Sequence, residues 1–523
     1  MINILKFDEN DKKVFLTSIF FALVTHYFVV ANNLYTPDAI AFNIDTIASK
    51  MFLGGSFVSG RWGIGLLNSL FILLGYTIKV PSSCVLIAIL LLSFSNIFLF
   101  RLLDIRNNLL KIISIAATVV TPSLVNTYYF GFSSHVYTLS ILFAYISVYL
   151  IIKTKAVILP VIFMTLSMSI YQASISIIMC LAIICIFIIL QNDEKELAIS
   201  KIVECSVSFI ISFVIYYLLA HIFIYVLKIG FINDFYGLDG SNIVPKLYGG
   251  YFIKNTLSCY GAFISLVSGE SVFAFNETGY ATTLNLLFFI VSFLSFIVLF
   301  FKSNIKFVNK ILSILLILIF PIAVNVIFIM TDSKIRLSEA RVVYSYIFYF
   351  IFSALIIDYL VSNFKLSKVL LPIFLVISSL ILCDKIILAH HSYYNLEKQN
   401  EDLKNFCLRL STQIMSMDGY DKDKKVLILG RPEYDTNFIY DHYIRIVFKE
   451  YENQFNLVSG WYQDWTRVIN FFAGANFKSP EDRPNMEEYY KYSKDVVDMP
   501  SYPAKGSIKI VDDYIVVKFR DFF

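Results

Sequence analysis

Long apolar runs alternate with short polar segments over the first three quarters of the chain. A helix needs about 20 apolar residues to cross the roughly 30 Å hydrocarbon core of a bilayer. Runs of about that length predict about eleven transmembrane helices, at residues 14–31, 82–100, 112–130, 135–152, 156–171, 174–190, 203–228, 283–301, 310–330, 342–361 and 369–389. The weaker run from 63 to 80 contains Gly75 and predicts a helix at the membrane interface or packed on the bundle.

The loops between the predicted spans differ in charge on the two sides of the membrane. Lys and Arg recur in every second loop, at 101–111, 153–155, 195–201, 302–310 and 365–368. The loops near 131–135 and 171–174 have no Lys or Arg. Because positive residues concentrate on the cytoplasmic side, we predict a cytoplasmic N-terminus. An odd number of spans then places the C-terminal segment outside.

Three segments on the predicted outer side are longer than simple connectors. Two are outer loops of a membrane domain at 1–389, and they cover residues 32–81 and 230–282. The third is the tail, 390–523, which we predict to be a separate extracytoplasmic domain.

The hydrophobic pattern of the tail is that of a small α/β domain. Its first 25 residues place apolar side chains near helical spacing, at Leu396, Leu403, Phe406, Leu410 and Ile414. The segment KKVLILG then predicts a buried strand, and SIKIVDDYIVVKF predicts a β-hairpin around Asp512 and Asp513.

Composition agrees with this division. The chain has 58% hydrophobic and 16% charged residues and a mean hydropathy of +0.70, which excludes a wholly soluble or a disordered protein. Of the first 389 residues 43 are charged, against 39 of the last 134. The net charge of +4 comes with no basic block, so nucleic acid is not an expected partner. The predicted fold class is therefore a polytopic α-helical membrane protein with a C-terminal α/β domain.

The first outer loop contains residues suited to group transfer. Asp38 and Asp45 are about two helical turns apart and could share one helix face. Such a carboxylate can take a proton from an attacking hydroxyl, and Arg61, followed by Trp62, can hold a phosphate with two hydrogen bonds. The alternative is that Asp38 caps a helix and Arg61 reaches to lipid head groups.

A second cluster lies between two spans on the predicted outer side, in TDSKIRLSEARVV. Its cations interrupt the positive-inside pattern, and a lipid-linked phosphate is the ligand that would explain them. The alternative is a local salt-bridge cluster. The cluster comprises Asp332, Lys334, Arg336, Glu339 and Arg341.

Three further polar residues lie at predicted outer turns. Tyr171 and Gln172, in SIYQAS, could hydrogen-bond a sugar or could simply form a polar turn. His135 could act as a base or as a polar cap. No His or Cys spacing predicts a metal site, and no GxSxG or Walker A motif occurs. We therefore predict no cofactor; a divalent metal is not indicated.

The loop with Asp38 that closes on SGRWG, together with SIYQAS, resembles the Gtr-type (type II) glucosyltransferases that modify bacterial O-antigen. The resemblance implies a GT-C-like membrane bundle in the bacterial inner membrane. It implies undecaprenyl-phosphate glucose as donor and a lipid-linked O-antigen or other cell-surface polysaccharide as acceptor, both on the outer face. Companion enzymes would make the donor and flip it across the membrane.

The same resemblance assigns roles to Asp38, Arg61, Tyr171 and Gln172, and the charges and polarity of the outer loops extend these roles to the other candidates. Asp38 or Asp45 would be the base, because family members often carry two adjacent acids where this chain has Asp38 followed by Ala39. Arg61 would bind the donor phosphate together with Lys334, Arg336 and Arg341, while Trp62, His135, Tyr171, Gln172, Asp332 and Glu339 would line the substrate site. Trp62 stands where a Pro is common. The alternatives are a flippase or exporter of lipid-linked sugars and a polysaccharide polymerase or ligase.

Overall fold

The structure is a computed structural model. It describes residues 7–36, 39–40, 55–73, 80–229, 249–268, 279–330, 340–364, 367–430 and 465–519. Within these ranges the protein is mostly helical.

The helices of the apolar part are as follows: α1 Glu9–Ala31, α2 Trp62–Leu73, α3 Pro81–Leu103, α4 Asn108–Val119, α5 Pro122–Tyr129, α6 Ser134–Lys153, α7 Ile158–Ile170, α8 Ser174–Gln191, α9 Lys195–Leu227, α10 Gly249–Val267, α11 Gly279–Lys302, α12 Phe307–Val324, α13 Ile327–Met330 and α14 Ile347–Asn363. Short 3₁₀ segments precede α6 and α14, at Gly131–Ser133 and Ala340–Tyr346. The next helix, α15 Ser367–Met415, continues from the last apolar run into the polar segment.

Among the described residues, ten helical segments are long and apolar enough to cross a membrane. This confirms a polytopic helical protein, with one span fewer than the eleven predicted. An even number of spans does not support the parity argument that placed the tail outside, so the side of the tail stays a prediction. The missing span is 156–171, where α7 has only 13 residues and at 1.5 Å per residue is about 20 Å long. It ends because the backbone of Tyr171 is extended, with φ −148° and ψ 110°.

Two predicted spans are interrupted instead of continuous. The span predicted at 112–130 breaks between α4 and α5, where Val120 and Thr121 leave helical geometry and Pro122 starts the next helix. The span predicted at 310–330 breaks at Asn325, whose side-chain amide donates to the carbonyl of Cys259 at 3.1 Å. The hydrophobic run alone did not predict either break.

Local sequence explains several helix starts. Asp8 and Asp11 form a capping box at the start of α1, each carboxylate accepting from the other's backbone N–H. Proline occupies the first turn of α3 and of α5, where its missing N–H costs nothing. Asn107 caps α4 by accepting from two backbone amides.

Polar side chains join the first helices of the bundle. Asp11 of α1 is buried and pairs with Arg101 of α3 through two contacts, Nε–Oδ1 at 3.0 Å and Nη2–Oδ2 at 2.5 Å. Asn96 of α3 donates to Ser18 of α1 and to Thr118 of α4. These bonds fix the register of neighbouring helices, since a polar group inside a bundle must find a partner.

The chain divides into two compact units. The described residues up to Ser392 form the first, except for 34–36 and 39–40, which belong to the second together with those from Tyr393 onward. In the second unit the side chains predicted to form the apolar face of its first helix, from Leu396 to Ile414, are buried. Helices α16 Trp465–Ala473, α17 Arg483–Lys491 and α18 Lys494–Val497 follow.

The second unit contains a three-stranded sheet of order β1-β3-β2, formed by β1 Lys425–Leu429, β2 Ile508–Val511 and β3 Tyr514–Lys518. Strands β2 and β3 form the antiparallel hairpin expected around Asp512, whose φ is +52°. Strand β1 pairs in parallel with β3, with Leu427 opposite Val516. Both of these side chains are fully buried and pack with those of α17 and α18.

Candidate functional site

Arg61 lies at the junction of two helical segments of the first unit. A helical turn at residues 55–58 ends at Gly60, and α2 begins directly after Arg61. The Arg61 N–H donates to the Ser56 carbonyl at 2.8 Å, and the Gly60 N–H donates to the Phe57 carbonyl at 3.0 Å. This pair of bonds, with Gly60 in the left-handed region, is a Schellman motif. It fixes the backbone of Arg61.

Both glycines of the SGRWG segment lie so close to other helices that a larger side chain would not fit. Gly60 has φ +73°, and a Cβ there would lie 2.9 Å from the Tyr216 hydroxyl oxygen. A Cβ on Gly63 would collide with Ser169 at the end of α7. The segment therefore approaches α7 and α9 more closely than any other residue type would allow.

Gln172 is the main partner of the Arg61 side chain. Its Oε1 accepts from Arg61 Nε at 3.3 Å. Its Nε2 donates to the Ser59 carbonyl at 3.0 Å and to the Tyr216 hydroxyl at 3.2 Å. Gln172 and Tyr216 are each 3% exposed. The amide of Gln172 is therefore used within the protein, where it holds the Arg61 loop against α9.

An aromatic pair, Tyr171 and Tyr137, lies between Arg61 and Arg341, two of the arginines predicted to bind the donor phosphate. The Arg61 guanidinium lies 5.6 Å from the ring centre of Tyr171, and the rings of Tyr171 and Tyr137 meet edge to face at 4.8 Å. The Arg341 guanidinium lies 5.9 Å from the Tyr137 ring and 4.3 Å from the Phe130 ring. Cation–π contacts of this kind hold a guanidinium in place while its N–H groups stay able to donate.

A cleft lies at this aromatic pair. Its lining residues come from α5, α6, the connection between α7 and α8, α8 itself and the 3₁₀ segment 340–346. They include Thr127, Tyr137, Ser140, Tyr171, Arg341 and Tyr344. Tyr171 and Arg341, predicted from separate parts of the sequence, thus share one cleft. The Arg341 guanidinium at this cleft suits the phosphate of a sugar phosphate, because a guanidinium donates charge-assisted hydrogen bonds to phosphate oxygens.

Two further candidates are buried beside this region. Trp62 is 4% exposed, donates from Nε1 to the Tyr216 carbonyl at 3.3 Å, and packs on Phe223 with ring centres 5.6 Å apart. His135 is 8% exposed and lies beside Phe71, with ring centres 5.8 Å apart. In this structure the Trp62 indole anchors α2 to α9.

Six of the predicted site residues lie outside the described residues. They are Asp38, Asp45, Asp332, Lys334, Arg336 and Glu339. Their roles as base, phosphate ligands and substrate contacts stay predictions.

Sequence reasoning missed Tyr137 and Tyr216, which complete the surroundings of Arg61 and Arg341. Both lie inside apolar runs, where they are indistinguishable by pattern from ordinary core tyrosines. A tyrosine in a span is amphipathic, which is the only signal available. Only the fold shows that Tyr216 accepts a hydrogen bond from Gln172 and that Tyr137 lies beside Arg341.

The described residues contain no group of three or more His, Cys, Asp or Glu side chains that could hold a metal ion. The charged group at the cleft is the Arg341 guanidinium, which favours an anionic ligand over a cation.

Comparison with known proteins gives one finding. The family model described as "Glucosyl transferase GtrII" matches residues 34–357, which include Arg61, Tyr171, Gln172 and Arg341. Neither a curated protein nor a solved structure matches the chain.

Proposed function

The chain belongs to the GtrII glucosyltransferase family, and we propose that it moves glucose from undecaprenyl-phosphate glucose to a lipid-linked polysaccharide. Its ten apolar segments and family membership identify it as a membrane glycosyltransferase. The acceptor proposed is an O-antigen or another cell-surface polysaccharide of bacteria. The family resemblance supports a GT-C-like bundle in the inner membrane, and the charge pattern of the loops supports transfer on its outer face.

The observation that carries the proposal is the chain of contacts Arg61–Tyr171–Tyr137–Arg341. In the described part of the chain the Arg61 side chain contacts the Gln172 amide and the Tyr171 ring, and a guanidinium so placed suits an anionic ligand. A phosphodiester donor carries its negative charge next to the bond that breaks. Fixed guanidinium donors stabilise the charge that develops on the departing phosphate. Lys334 and Arg336 are proposed as further ligands of that phosphate.

The proposed chemistry needs no nucleotide, because the donor sugar is already activated on its lipid. Asp38 or Asp45 takes the proton from the acceptor hydroxyl. The hydroxyl oxygen attacks the anomeric carbon, the bond from that carbon to the phosphate oxygen breaks, and undecaprenyl phosphate leaves. Direct displacement inverts the anomeric configuration. Tyr171 and His135 are proposed to face the sugar.

The test is expression of the full chain with an undecaprenyl-phosphate glucose synthase, followed by mass analysis of the polysaccharide. Wild type is expected to add a single hexose per modified unit. Arg61→Met should strongly reduce the fraction of polysaccharide that gains a hexose, while the protein is still inserted in the membrane. The matched control is Lys302→Met, which replaces an exposed lysine. No increment in wild type would contradict the transferase proposal, and movement of the lipid without modification would favour a flippase.

The two acidic candidates are separated by Asp38→Asn and Asp45→Asn. The amide variant of the base should lose the increment, because an amide cannot accept the proton, while the other variant keeps it. If both variants transfer hexose at the wild-type rate, the base has been assigned to the wrong loop.

A further inference from the structure

A second cleft in the first unit lies where a predicted span is broken. The segment 108–129 is apolar enough to cross the membrane as a whole, yet α4 stops at Val119 and α5 starts at Pro122. The carbonyl groups freed by the break are satisfied by other helices. The Tyr344 hydroxyl donates to the Thr118 carbonyl at 2.9 Å, and His26 Nε2 lies 2.9 Å from the Val119 carbonyl oxygen.

Dedicated partners of this kind show that the break is built into the fold. Interrupted backbone at membrane depth occurs where it is buried in protein or lines a cavity. The start of a half-helix also favours an anion. The break here lines a cleft with a volume of about 60 Å³.

The start of α5 brings unused donors to the cleft. Thr121 is the N-cap residue, but its hydroxyl makes no capping bond. The N–H of Ser123 lies in the first turn, where no carbonyl of the helix can accept it. The Ser123 hydroxyl is buried, at 2% exposure, and has no hydrogen-bond partner among the described residues. Thr121, Pro122 and Ser123 all line the cleft.

A cation faces the same space. Lys385 of α15 lines the cleft, within the last apolar run. No hydrogen bond or ion pair joins its ammonium group to another described residue. Asp384, its neighbour in the chain, interacts with it electrostatically, but no hydrogen bond or ion pair joins the two side chains. Since a charged residue in a span is costly and marks a functional position, Lys385 calls for an anionic partner.

The 3₁₀ segment 340–346 separates this cleft from the cleft at Arg341. Its residues Arg341 and Tyr344 line the first cleft, and Val343 and Tyr346 line the second. A reaction between two lipid-linked substrates, which is the proposed function on which this inference rests, brings two anionic headgroups to the protein.

We propose that the cleft between the start of α5 and Lys385 binds the phosphate-bearing headgroup of the lipid-linked acceptor. Lys385 supplies the charge, and Ser123 and the start of α5 supply hydrogen-bond donors. Asn285, which also lines the cleft, lies beside them. The donor phosphate stays with the arginines of the first cleft.

The first test counts bound lipid. Full-length protein in nanodiscs is titrated with undecaprenyl phosphate and followed by native mass spectrometry. Wild type should bind two molecules, and Lys385→Met should weaken one of the two events about tenfold or more, the loss expected for a hydrogen bond to a charged group. Ser123→Ala should act in the same direction, and Lys302→Met should bind as wild type does. Binding by Lys385→Met that equals wild type would overturn the proposal.

The second test assigns the site to a substrate. Lys385→Met should raise the KM for acceptor with the KM for donor unchanged, and Lys385→Arg should restore the acceptor KM. A rise in the donor KM instead would overturn the assignment to the acceptor. The thermal unfolding midpoint of each variant shows whether it is folded. If wild type transfers no hexose, the proposed function fails, and the count of bound lipid still decides whether the Lys385 site exists.

Discussion

Arg61 and Gln172 lie 111 positions apart in the sequence, and a hydrogen bond of 3.3 Å joins Arg61 Nε to Gln172 Oε1. The same amide donates to the Ser59 carbonyl, two residues before Arg61. One buried side chain thus holds both the backbone and the guanidinium of the SGRWG segment. This relationship connects the two motifs that first indicated the family.

Replacing Gln172 by Leu should loosen Arg61 without removing its charge. Because a misplaced catalytic group costs about 10²-fold, we expect transfer to fall between tenfold and a hundredfold, with a higher donor KM. The measurement is the rate of hexose transfer per folded protein. Gln191→Leu is the matched control, since Gln191 is also buried and donates to Ser313 at 3.1 Å. Equal losses in the two variants would indicate a general packing defect.

Gly60→Ala should lower both stability and activity. The new methyl group would meet the Tyr216 hydroxyl at 2.9 Å, and the left-handed conformation costs an L-residue about 1–2 kcal/mol. Gly55→Ala provides the comparison, because a Cβ at Gly55 has no described heavy atom within 4 Å. Thermal unfolding midpoints in detergent measure the difference. Similar midpoints for the two variants would show that the loop adapts.

Asp358→Ala should destabilise the first unit. The Asp358 carboxylate is 5% exposed and accepts from the backbone amides of Arg106 at 3.0 Å and Asn107 at 2.8 Å. Loss of the acceptor leaves two partly buried donors unsatisfied, which costs about 2–4 kcal/mol in all. Asp358→Asn, which retains one oxygen, should lose less. A midpoint of Asp358→Ala equal to that of wild type would contradict this role.

The free energy of unfolding should depend on pH through Asp193, which lies in the loop between α8 and α9. The backbone N–H of Lys306 donates to its carboxylate at 3.1 Å and, with the Lys306 charge and Asn309, lowers the pKa of Asp193. A lowered pKa adds stability that is present above the unfolded value of about 3.9 and is lost as the pH falls through the folded value.

The check is a comparison of wild type with Asp193→Asn from pH 7 to pH 3. The difference in unfolding midpoint should shrink below about pH 4, where the unfolded carboxyl takes up its proton. A difference that stays constant over this range would mean that the charge of Asp193 contributes nothing to stability.

The sequence by itself determined the class of the protein and most of its helices. Apolar runs of membrane-spanning length can only become helices in a bilayer, because every backbone amide must find its partner within the segment. The hairpin around Asp512 and the buried face from Leu396 to Ile414 followed from the same local periodicity. The short motifs SGRWG and SIYQAS were enough to indicate the family.

Only the tertiary structure decided which of these residues meet. The hydrogen bond between Arg61 and Gln172 and the cleft at Lys385 join segments that are far apart in the chain, and the aromatic pair Tyr137–Tyr171 joins two consecutive helices. A hydrophobic pattern gives the length of a helix and its apolar faces. It does not give the neighbour of each face, because in a bilayer helix pairing is set by close packing and polar contacts and not by hydrophobicity.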